Sequence, residues 1–115
     1  MRKKNYKGRC EKRTLGKCQG VCKIYDSIQK RYSDMLQADP NIREFRCNVL
    51  LDSPGADEYT TDFVCVLENG NIMVRECVSR ERLTKPMTVK LLDISKNYWL
   101  NHGVSDWGVV VNAEK

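Results

Sequence analysis

The sequence predicts an α/β fold with a mixed sheet, its elements running helix, strand, strand, strand, helix, strand. Three observations predict it. Apolar residues recur at helical spacing over residues 24–37 and again over 87–99. Three strand-like runs, bounded by turn residues, lie between these stripes. A β-branched run at 107–111 follows the second helix and reads as a buried strand.

The first helix carries Ile24, Ile28, Tyr32 and Met35, with Tyr25 and Leu36 widening the stripe. Asp39-Pro40-Asn41 ends it, because proline disfavours helix in the residue before it. The first strand spans 45–51, with Cys47, Val49 and Leu51 on one face; residues 52–57 form a loop. The second strand spans 59–67 and the third 71–78, joined by a turn at Asn69-Gly70. Residues 79–85 are charged and irregular. Pro86 then suits the first turn of the second helix. Its stripe is Met87, Leu91, Ile94 and Tyr98, with Val89, Leu92 and Trp99 nearby, and Gly103 is a plausible left-handed cap. A helix after an antiparallel meander acts as a crossover and returns the last strand parallel to its neighbour.

At 115 residues the chain is one domain. The net charge of +5 conceals an asymmetry: residues 1–31 hold eleven Lys/Arg against only Glu11 and Asp26. Residues 1–22 show charge and turn signals without periodicity, so they are expected to form a basic arm ahead of a single domain at 23–115. Such an arm suits a polyanion. Its candidate phosphate contacts are Arg2, Lys3, Lys4, Lys7, Arg9, Lys12, Arg13 and Lys17. No apolar run is long enough to span a bilayer, and Met1-Arg2-Lys3-Lys4 lacks the apolar segment of a secretion signal; the expected location is cytoplasmic. Six cysteines in such a chain are expected to be reduced thiols. Cys47, Cys65 and Cys77 sit in apolar runs and read as core residues. Cys10, Cys18 and Cys22 cluster in the arm, but Cys-x7-Cys-x3-Cys is not a standard zinc spacing. A fourth ligand is not obvious, with His102 and Cys47 the remaining candidates.

Asp62 and Glu76 lie on neighbouring strands of the hairpin. Two carboxylates in such a place require hydrogen bonds, a cation or a metal. Turn geometry decides whether they meet. A two-residue turn sets Asp62 opposite Cys77; a three-residue turn, Glu68-Asn69-Gly70 with Gly70 left-handed, sets Asp62 opposite Glu76. Asn-Gly fits both, and the bulged three-residue form is the expectation taken here. Facing carboxylates repel, so one holds a proton or a divalent cation sits between them. The alternative is a pair at the sheet rim held by Arg75, Arg80 or Arg82.

The chain resembles, from about residue 24 to 113, the N-terminal nuclease domain of TnsA-like proteins. These are endonuclease subunits of heteromeric transposases in the restriction-endonuclease-like PD-(D/E)XK superfamily. The matching segments are Ser27-Ile28-Gln29, Ala38-Asp39-Pro40-Asn41-Ile42, Tyr59-Thr60-Thr61-Asp62-Phe63, and Gly70 followed by Val74-Arg75-Glu76. Leu83, Lys85-Pro86 and Trp107-Gly108-Val109-Val110 follow in order. The resemblance implies a restriction-endonuclease-like sheet, Mg²⁺ or Mn²⁺ held by Asp62 and Glu76, and DNA and a transposase subunit as partners. Self-association into a homodimer stays open. Gln29 stands where the family has a glutamate, and Val78 where it has a lysine. Lys90, with Lys85 second, is the candidate substitute for that lysine. Two functions follow from the resemblance. One is metal-dependent phosphodiester cleavage at transposon ends, with Asp62, Glu76, Gln29 and Lys90 as catalytic residues. The other is a degenerate nuclease fold that binds DNA or a transposase. A zinc-dependent DNA-binding protein ranks behind both.

Overall fold

The structure is a computed structural model that describes Arg2–Lys3 in main chain only, and residues 9–51 and 59–112 in full. Lys4, Lys7 and the loop at 52–57 lie outside the described residues, as do the side chains of Arg2 and Lys3. The strands are β1 (Arg2–Lys3), β2 (Glu11–Arg13), β3 (Cys22–Ile24), β4 (Ile42–Leu50), β5 (Tyr59–Leu67), β6 (Ile72–Cys77) and β7 (Asp106–Val110). The helices are α1 (Ser27–Ala38) and α2 (Pro86–Asn101), with a short 3-10 turn at Arg80–Arg82. From α1 onward this is the expected α-β-β-β-α-β order.

The main sheet runs β4-β5-β6-β7. β4, β5 and β6 form the antiparallel meander, and α2 returns β7 parallel to β6. Thr60 pairs with Leu50 of β4 on one edge of β5 and with Arg2 of β1 on the other. β1 therefore continues the edge of β5 beyond the end of β6. β4 shifts register between Ile42 and Glu44, so Ile42 and Phe45, three residues apart, are both buried. The core gathers Ile24, Leu36, Ile42, Phe45, Phe63, Cys65 and Cys77, and Tyr32 of α1 meets Phe63 edge-on at 5.4 Å.

Within the described residues, the segment expected to be a free arm is folded. β2 and β3 form an antiparallel hairpin that sets Arg13 opposite Cys22. The connecting loop docks on the open edge of β4: the Phe45 N–H donates to the Lys17 carbonyl at 2.9 Å and the Gln19 N–H to the Phe45 carbonyl at 2.8 Å. This covers an edge strand that would otherwise present unpaired main-chain groups. The reason the segment looked unstructured is its composition. Its strands are three residues long, and within residues 9–21 the one buried residue is the cysteine Cys18.

α1 begins later than the periodicity suggests, because Ile24 belongs to β3. Asp26 caps it, its carboxylate accepting the Gln29 N–H at 2.8 Å. The buried side of α1 is Gln29, Ser33 and Leu36, while Met35 is 57% exposed. Ile28 and Tyr32 of the expected stripe pack against the core, and of that stripe Met35 alone is largely exposed. α2 is held loosely: Ser95 alone is fully buried, and Met87, Val89 and Leu100 are exposed. Gly103, at φ 82°, is the left-handed residue expected after α2. Among the described residues, no helix is long and apolar enough to cross a membrane.

The β5–β6 turn is the three-residue form. The Leu67 N–H donates to Asn71, the Gly70 N–H to Leu67, and Gly70 has φ 89°. The register that follows, Phe63 with Arg75 through Val66 with Ile72, sets Asp62 opposite Glu76. Gly70→Ala is expected to destabilise by about 1 kcal/mol, since a Cβ is strained in the left-handed region although the surrounding space is open. Urea unfolding measures this. A neutral result would show that the left-handed conformation at Gly70 carries no such cost.

Candidate functional site: a buried carboxylate pair

Asp62 is 1% exposed and Glu76 is fully buried, so these acids are not rim residues. The β5–β6 ladder ends at Phe63 and Arg75, and beyond it each carboxylate reaches the main chain of the opposite strand. Asp62 Oδ2 accepts the Cys77 N–H at 2.7 Å; Glu76 Oε1 accepts the Asp62 N–H at 2.9 Å. Two of the three arginines named for the rim alternative, Arg75 and Arg80, are engaged elsewhere. Arg75 pairs with Asp106 at 2.8 Å, and the Arg80 N–H and guanidinium donate to Asn112.

Each helix adds one donor. Gln29 Nε2, from α1, donates to Asp62 Oδ1 at 2.7 Å; the Ser95 hydroxyl, from α2, donates to Glu76 Oε2 at 2.5 Å. The Gln29 amide has its orientation set, because its Oε1 accepts the Tyr25 N–H at 2.8 Å and leaves Nε2 to face the carboxylate. Ser95 is oriented by the Trp107 indole, which donates to its oxygen at 3.0 Å. On the same helix, the Trp99 indole donates to Thr61, next to Asp62, at 2.9 Å. Burial first, and the nearby Asp62 charge second, raise the Glu76 carboxyl to about 7.

Asn48 is a participant that pattern reading missed. It sits in β4 at φ 54°, a left-handed conformation that asparagine tolerates better than most residues. Its Oδ1 accepts from Gln29 Nε2 at 3.3 Å and its Nδ2 donates to the Lys23 carbonyl at 2.9 Å. An asparagine amid strand residues is the only signal available in the sequence.

Gln29, Asp62 and Glu76 thus meet, as expected. Lys90 does not join them: it is exposed and about 140° round α2 from Ser95. A cleft of about 700 Å³ lies between the start of α1, the end of β6 and the start of α2. Cys77 and Val78 line it, adjoining Glu76 in sequence, together with Asp26, Arg82 and Lys85. Lys85 is therefore the better-placed of the two lysines. Val78, where the resemblance would place a lysine, is buried, its N–H bonded to the Val110 carbonyl at 2.9 Å.

The cations of the N-terminal segment divide. Arg9 and Lys12 are exposed. Arg13 instead pairs with Asp34 at 2.6 Å and donates to Ser33 at 3.1 Å. Lys17 Nζ donates to the Asp39 carbonyl at the end of α1 at 2.6 Å. These two serve the fold rather than a ligand, because an arm that folds onto its own domain uses some of its charges there.

Two carboxylates are hard-oxygen donors of the kind Mg²⁺ and Mn²⁺ take. Burial first and the Asp62 charge second raise the Glu76 carboxyl, and a cation at the pair would favour its ionised form. The donor set therefore fits in kind, and the arrangement is closed: Gln29 and Ser95 each cover an acid oxygen. No protein-family model matches the chain, and no curated protein matches it either.

Proposed function

We propose that this chain is a DNA endonuclease-like subunit of a heteromeric transposase, with a restriction-endonuclease-like sheet and Asp62 and Glu76 as its acid pair. One observation carries the reading: Gln29, Asp62 and Glu76, far apart in sequence, converge at one buried point beside an open cleft. Asp62 and Glu76 would hold Mg²⁺ or Mn²⁺ once Gln29 and Ser95 turn away. That ion would supply Lewis-acid polarisation of a scissile phosphate. Gln29 orients water by its amide, Lys85 and Arg82 place positive charge along the cleft, and Arg9 and Lys12 contact the DNA backbone. The work is done on transposon ends in the cytoplasm, beside a separate transposase subunit.

The test is nicking of supercoiled plasmid in Mg²⁺ or Mn²⁺, with the chain alone and with a candidate transposase. Cleavage is expected to vanish in Asp62→Ala and to fall by roughly 10²–10³-fold in Lys85→Ala, while Lys90→Ala stays near wild type. Cleavage that persists in Asp62→Ala would sink the assignment.

A second reading is favoured by Val78. An aliphatic side chain at the family's lysine position cannot neutralise developing charge, which suits a degenerate fold that only binds DNA or a transposase. Under it, wild type does not cleave with any partner, and Gln29→Glu combined with Val78→Lys is the variant that should gain activity. Neutralising Arg9 and Lys12 should lower DNA affinity and flatten its salt dependence under either reading. An unchanged salt slope would remove the N-terminal segment from the interface.

A further inference from the structure

The nuclease-like reading leaves three thiols without a role. Cys18 lies in the loop between β2 and β3, Cys22 in β3 and Cys47 in β4, yet their sulfurs all lie within 4.8 Å of one another. Cys22 and Cys47 are 2.7 Å apart and Cys18 and Cys47 3.7 Å. Zn–S bonds of about 2.3 Å in a tetrahedral centre set sulfurs roughly 3.8 Å apart. One pair already has that spacing, and the other would open by about 1 Å. Among the described residues, no histidine or carboxylate joins the cluster. An all-sulfur set disfavours Mg²⁺ and Mn²⁺ and selects soft, thiophilic cations.

We propose that Cys18, Cys22 and Cys47 form a three-thiolate site for one thiophilic d¹⁰ cation, Zn²⁺ or Cu⁺, which fastens the N-terminal hairpin to the sheet. The position of the site supports this. In the loop at 14–21, Cys18 is the only fully buried residue, and Val21 is 55% exposed. The loop is held by main-chain hydrogen bonds to Phe45 and by Leu15 and Cys18. A metal joining it to β3 and β4 would add a further tie, as structural zinc does in small domains. Cys10 is outside the site: it is exposed and three residues before Arg13, about 10 Å along the strand. Trigonal Cu⁺ needs no further ligand, and Zn²⁺ would add a water.

The reduced full chain, kept anaerobic, is titrated with Zn²⁺, with Cu⁺, and with Co²⁺ as a spectroscopic stand-in for zinc. One ion per chain is expected, with thiolate-to-Co²⁺ charge-transfer absorption in the near ultraviolet. Competition between Zn²⁺ and Cu⁺ identifies the resident ion. Cys10→Ser should bind as wild type does, and Cys22→Ser and Cys47→Ser should lose at least about 100-fold in affinity. Because those variants also alter buried positions, alkylation of the wild type followed by mass spectrometry gives a second measure. The ion should protect Cys18, Cys22 and Cys47 while Cys10 reacts at an unchanged rate. No stoichiometric uptake of any of these ions would overturn the proposal. So would loss of binding in Cys10→Ser, or alkylation of the three thiols that the ion leaves unchanged. Metal content, not cleavage, is the readout, so the result stands apart from the nuclease reading.

Discussion

Raising the pH from 5.5 to 8.5 is expected to destabilise the protein, and Glu76→Gln to abolish most of that dependence. In the folded chain the Glu76 carboxyl is raised to about 7 by burial and by Asp62. In the unfolded chain it titrates near the ordinary value of about 4.3. Between those two values the native state keeps a proton that the unfolded state has lost, so stability falls as pH rises. The contribution is complete below about pH 4.3 and is lost as pH passes through about 7. Its full size is on the order of 3 kcal/mol, of which about 2 kcal/mol falls between pH 5.5 and 7, large beside a typical domain stability of about 5–15 kcal/mol. Thermal unfolding of wild type and Glu76→Gln across this range checks it. Parallel curves for the two proteins would show that Glu76 is not the titrating group. A divalent cation at the pair should lower the wild-type slope, because it favours the ionised acid.

Asp62→Ala is expected to destabilise by about 3 kcal/mol even if no chemistry occurs at the site. The substitution leaves the Gln29 Nε2 and the Cys77 N–H without their shared acceptor. Asp62→Asn is not a neutral control. Both partners donate, so the asparagine NH₂ would have to face one of them, donor against donor. The order expected in urea unfolding is therefore wild type, then Asn, then Ala. An alanine variant as stable as wild type would mean that the observed hydrogen bonds contribute nothing net. Reading stability beside cleavage matters here, since loss of activity in an unfolded variant would say nothing about catalysis.

The expected element order from α1 to β7 was legible because each signal was local. Pro40 and Pro86 mark helix boundaries, β-branched runs mark strands, and a left-handed Gly103 closes α2. The Asp62–Glu76 encounter was legible only up to a choice of two turns, since Asn69-Gly70 accommodates either register. The choice rests on the rest of the hairpin: the observed register brings Val74 to full burial opposite Val64.

What the sequence by itself determined is therefore the elements from α1 to β7, their order and the identity of the acid pair. Tertiary structure decided everything that depends on distant segments meeting. It buried Gln29 and Ser33 rather than Met35 on α1, because a polar side chain can enter a core where another element brings its hydrogen-bond partner. It put Lys85 beside the cleft and turned Lys90 away. It joined Cys47 to Cys18 and Cys22 instead of Cys10, through strand pairing that no cysteine spacing encodes. It folded the basic segment onto β4, where Arg13 and Lys17 satisfy acceptors of α1. Local propensity acts over a few residues along the chain, whereas burial and hydrogen-bond satisfaction are settled in space, and the site here is built from the second kind of information.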